Sequence, residues 1–93
     1  MWVVTAPISL SRHPLLTGQL VLEPGTRLFY ENLDIGTYHE HGGSQSYRRR
    51  FLVLEGPSAG ERVTTSEWHY RDDDGTWMDP PEPFPPAGLA PEK

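Results

Sequence analysis

The sequence predicts a small all-β domain, a barrel or sandwich of about five or six short strands, with a disordered Pro-rich tail behind it. Three observations carry this. Turn-forming residues recur at intervals of roughly 8–14 residues along the chain. No segment of about 11 or more residues shows helical periodicity. Six of the ten prolines fall in the segment from Asp79 to Lys93. Proline fixes φ and removes a donor, so that segment reads as an extended tail, and residues 1–78 as the single folded domain.

The strand-like segments follow in order. Leu20-Val21-Leu22 is expected to face Arg27 to Glu31 across Pro24-Gly25, residues suited to the centre of a type II turn. A turn at Asn32 to Asp34 would begin a third segment, Ile35 to His41. Ser46 to Leu54 is a fourth, and its apolar end, Phe51 to Leu54, reads as a central, covered strand. Gly56 to Gly60 would turn the chain into Glu61 to Thr65. Glu67 to Arg71 and Thr76 to Met78 flank Asp74-Gly75, the favoured residues of a tight hairpin. Val63 has odd parity, while Trp68 and Tyr70 have even parity. One regular strand cannot bury all three, so a bulge or short turn is expected near Thr65-Ser66.

The composition excludes several classes. The chain has 93 residues and no cysteine, hence no disulfide framework, thiolate metal site or cysteine nucleophile. No apolar run approaches the length of a membrane helix, and the start lacks the basic and apolar regions of a secretory signal. A cytoplasmic protein with no membrane contact is expected. Thirteen acids against eight bases give a net charge of -5, which disfavours nucleic acid as the default partner.

Four groups could carry function. His39 and His41 are two apart, so on a strand they would share a face and could reach one metal. Arg48, Arg49 and Arg50 lie beside Tyr47 and Phe51, a possible nucleic-acid or phosphate surface, and Tyr47, Arg48 and Arg50 are also candidates for a partner contact. Asp72, Asp73 and Asp74 would sit at a hairpin tip and could meet a basic partner. Trp68, Tyr70, Trp77, Tyr38 and Phe29 are the candidates for core and contact surface. Of these, Trp68 is expected inside and Trp77 at a partner. No cofactor is implied, and neither a G-x-S-x-G elbow nor a phosphate loop occurs.

The stretch FLVLEGPSAGERV, Phe51 to Val63, resembles the strand, Gly-Pro loop and strand of the KOW motif in SH3-like barrels of transcription and translation factors. The loop is shorter than the family's, and Gly60 stands out of place for its later glycine. The resemblance implies an SH3-like barrel. The expected function is a non-enzymatic binding or accessory module acting through protein contact. The alternatives are an acidic inhibitor or immunity-type protein, a KOW-like RNA or RNA-polymerase contact module, and a metal-binding mini-barrel.

Overall fold

The computed structural model describes residues 1–13, 18–39, 43–80 and 83–92. Among these it contains eight strands and no helix: β1 (Trp2–Val4), β2 (Ile8–Arg12), β3 (Gln19–Leu22), β4 (Arg27–Tyr38), β5 (Ser44–Val53), β6 (Arg62–Arg71), β7 (Trp77–Met78) and β8 (Leu89–Pro91). They form one antiparallel sheet ordered β3-β2-β6-β5-β4-β1-β8, with β7 on β6. The all-β expectation holds in this form. The sheet is open, so a closed SH3-like barrel is not what the strands build.

Side-chain alternation explains the two faces. Phe51 and Val53 on β5 point to the core, in register with Leu28 and Tyr30 on β4 and Val63 on β6. Val4, Leu28, Phe51, Val53 and Val63 are the largest fully buried side chains. One apolar cluster draws on β1, β2, β3, β4, β5, β6 and β8, so the sheet curls over this face. The distal parts of β4, β5 and β6 run on beyond the cluster. The molecule is accordingly elongated, 46 × 27 × 19 Å.

Two turns form where local turn chemistry places them. Gly56 to Gly60 links β5 to β6, and Asp74-Gly75 links β6 to β7. Non-local pairing differs from expectation. The turn at Pro24-Gly25 is real, but β3 pairs with β2, and β4 with β1 and β5. Gly25 donates to the Val4 carbonyl, so the turn delivers β4 to β1 instead of folding it onto β3. No turn interrupts Asn32 to Asp34. The chain passes through as strand, with one extra residue, Glu31, bulged between Tyr30 and Asn32. The bulge expected near Thr65-Ser66 is absent. β6 is regular, and its pairs with β5 run unbroken from Arg62 to Tyr70.

The proline-rich segment is not a free tail. Leu89 to Pro91 add β8 to β1, and Leu89 is buried in the core. Phe84 packs on the Trp2 and Phe51 rings, with centroids 5.2 and 6.4 Å away. Arg27 closes on Glu92 through two hydrogen bonds, of 2.7 and 2.8 Å. Residue 78 is therefore no boundary, since residues 83–92 pack on the same core.

Candidate functional site

The extension of β4, β5 and β6 has two unlike faces. On the outer face the register sets Gly36, Ser46 and Trp68 in one row, and Tyr38, Ser44, Tyr70 and Met78 in the next. Gly36 decides how this row packs. A Cβ there would lie 2.9 Å from the Ser46 hydroxyl oxygen and 3.2 Å from the Tyr38 hydroxyl oxygen. With no side chain on Gly36, the Tyr38 ring folds back over it and meets Trp68, centroid to centroid 5.5 Å. Trp68 in turn stacks with Tyr70 at 6.4 Å and 20° between planes. Ser46 is buried beneath this row. The rings themselves are not covered: Tyr38 is 46% exposed, Trp68 36%, Tyr70 47% and Met78 55%. Large apolar groups are thus gathered on one exposed surface.

Arg48 and Arg50 also point outward. Arg48 is exposed and stands opposite Asp34 on one side and Ser66 on the other. Arg50 lies 3.4 Å from Glu31, which also takes a 2.8 Å bond from Arg62. Tyr47 belongs to the opposite face. Its hydroxyl donates to Gln45 at 3.0 Å, and its ring lies 4.5 Å from that of His69. The expected Tyr47, Arg48 and Arg50 surface is thus divided between two faces by strand alternation. Trp77 pairs with Arg71 and shares the inner face with it, the guanidinium 5.3 Å from the ring centroid. Trp77 is exposed but stands apart from the outer row.

The inner face carries a buried ion pair. Glu67 is 7% exposed and accepts from Arg49. The Arg49 guanidinium lies 4.0 Å over the Phe84 ring, and His69 Nε2 lies 3.7 Å from the second Glu67 oxygen. Beside them a cleft of about 310 Å³ opens between β2, β6 and the segment Pro83–Ala87. It is half apolar, and its one carboxylate, Glu67, is already engaged by Arg49.

Of the proposed metal pair, His39 is exposed at the end of β4, and His41 lies outside the described residues. Among the described residues no three His, Asp or Glu side chains gather as a metal site.

Asp72, Asp73 and Asp74 form an exposed tip, as the hairpin reading expected. Asp72 Oδ1 accepts from the Asp74 and Thr76 amides, and Asp74 Oδ1 accepts from the Thr76 amide at 2.8 Å. The Asp74 carboxyl is held below the ordinary aspartate range, first by its hydrogen bond with Asp72 and then by the Thr76 hydroxyl and amide. A lowered folded-state value contributes stability above the unfolded value, and that contribution is lost as pH falls through the lowered one. The tip should therefore loosen only below the ordinary aspartate range. Carboxyl NMR should report a low Asp74 midpoint that Thr76→Val moves upward; an unmoved midpoint would remove the Thr76 hydroxyl as a cause and leave its amide.

No family model, curated protein or solved structure matches this chain. The outer row therefore stands on geometry alone. It uses three residues already singled out, Tyr38, Trp68 and Tyr70, and adds Met78.

Proposed function

We propose that this chain is a non-enzymatic binding module that meets a protein partner through the outer row Tyr38, Trp68 and Tyr70, with Met78 at its end. The observation that carries the reading is the set of touching but exposed rings that β4 and β6 bring together across β5. Such rings are already ordered before binding, so little side-chain entropy remains to be lost. Aromatic side chains also dominate interface energetics. The net charge of -5 favours a protein with basic groups over nucleic acid. Arg48 can add a charged contact at the rim of the row.

A single-stranded nucleic acid is the competing occupant, because Arg48 and Arg50 share a face with the rings. Arg50 is already engaged by Glu31, which leaves that surface poor in positive charge.

Photo-crosslinking from a benzoylphenylalanine placed at Tyr70 separates the two. Capture of a protein, abolished by Trp68→Ala, is the expected result. Crosslinks to nucleic acid alone would replace the partner class, and capture indifferent to Trp68→Ala would move the site. The same variant should melt within about 1 kcal/mol of the native chain, because Trp68 is a surface residue here. A loss of about 3 kcal/mol or more would return Trp68 to the core.

A further inference from the structure

The distal half of β4 is an open strand edge. β1 pairs with β4 only at Arg27 and Leu28, and among the described residues nothing pairs with β4 beyond them on that side. The direction of its free groups follows from the hydrogen bonds. Leu54 donates to the Arg27 carbonyl, so before the bulge the odd residues of β4 face β5. Val4 donates to the Thr26 carbonyl, so the even ones face β1. The extra residue Glu31 reverses this parity. Past it, Asn32, Asp34, Gly36 and Tyr38 bond to β5, while the amides and carbonyls of Leu33, Ile35 and Thr37 face outward.

The other outer strands are short. β3 has four residues, and β8 has three with Pro91 among them. Short strands and proline protect an edge from further pairing. β4 has neither protection over Asn32–Tyr38, and it exposes Leu33 and Ile35.

We infer that this edge pairs with the same edge of a second copy of the chain, antiparallel, about a two-fold axis at Ile35. The sequence is self-complementary in that register. Ile35 meets Ile35, Leu33 meets Thr37, and both members of each pair have outward-facing backbone groups, giving about six inter-chain hydrogen bonds. Asp34 falls opposite Gly36 and not opposite Asp34, so no like charges are paired. Asp34 also keeps its own bond from the Asn32 amide, 3.0 Å. A register shifted by two residues would set Asp34 against Asp34 or Gly36 against Gly36 and leave one outward residue of each chain unpaired. The axis is perpendicular to the sheet, so both aromatic rows come to lie on one continuous outer face.

The contact is a small one, below about 1,200 Å² in total, and each copy carries the same net charge of -5. Association should therefore be weak and tighten as salt screens the repulsion. Sedimentation equilibrium from about 5 to about 500 µM is the test, a range suited to small interfaces. The native chain should form a dimer within it. Ile35→Pro removes an outward amide and no bond to β5, so it should remain monomeric, at least about thirtyfold weaker, with an unchanged melt. If that variant unfolds, Ile35→Lys decides, with an expected loss of at least about tenfold. Trp68→Ala should leave the dimer intact. A native chain that stays monomeric at the highest concentration overturns the inference. So does a dimer that survives the Ile35 changes, or one that Trp68→Ala dissociates, which would place the contact on the aromatic row.

Discussion

Phe51→Ala is expected to unfold the protein at room temperature. Phe51 is 0% exposed and sits where the Trp2, Tyr30 and Phe84 rings converge. Trp2 meets it edge-on at 5.8 Å, Tyr30 edge-on at 5.2 Å, and Phe84 stacks at 6.4 Å. Truncating a fully buried phenylalanine costs about 3–5 kcal/mol, and each aromatic pair adds about 0.5–1.5 beyond area burial. A domain of this size has about 5–14 kcal/mol in total, so a combined loss of this order removes most or all of it. Urea melts of Phe51→Ala and Phe51→Leu check it. The leucine variant should retain a cooperative transition, since it keeps most of the volume. A native-like melt for the alanine variant would show that the ring cluster is not the centre of the core.

The elements legible in the sequence are those whose cause is local. Gly56 to Gly60 and Asp74-Gly75 supply turn geometry within a few residues, and both reverse the chain onto the neighbour in sequence. Pro24-Gly25 supplies a turn just as good, yet a turn does not choose the next strand's partner. That choice rests on Leu28 and Val53 meeting across β4 and β5, contacts about 25 residues apart along the chain.

Trp68 lies outside, against the expectation, for a different reason. The inward positions of β6 beyond Val63 are Thr65 and Glu67, buried polar residues, while the outward ones are Trp68 and Tyr70. The hydrophobic pattern of the distal strand is thus inverted relative to burial. Alternation alone then points the rings inward, and a bulge had to be supposed to reconcile them with Val63. Burying Glu67 is tolerated because Arg49, in the next row of β5, supplies its counter-charge. The candidate surface was hidden by the same inversion that creates it: polar groups took the inner face, and the rings were left outside. Gly36 offered the missing signal, since a glycine within a strand marks the close approach of another group.

Ending the chain after Asp79 is expected to cost more than about 3 kcal/mol, comparable to deleting a core leucine with its neighbours. Proline content argued for a tail that could be removed at little cost. The hydrogen bonds explain why it cannot. Thr5 donates to the Gly88 carbonyl and Glu92 donates to the Met1 carbonyl, so the even residues of this segment face β1. Pro91 has the opposite parity, and its missing amide falls on the open side of β8, where no ladder bond is lost. The segment therefore pairs despite its prolines and delivers Leu89 to the core beside Val4. Removing it strips Leu89 and Phe84 from Val4, Trp2 and Phe51 and exposes the edge of β1. Chemical denaturation of the shortened chain beside Leu89→Ala and Glu92→Ala measures the parts. Leu89→Ala should account for about 2–4 kcal/mol. Glu92→Ala should change little, because its pair with Arg27 is open to solvent. A shortened chain that melts within about 1 kcal/mol of the full one would mean that β8 rests on the fold without supporting it.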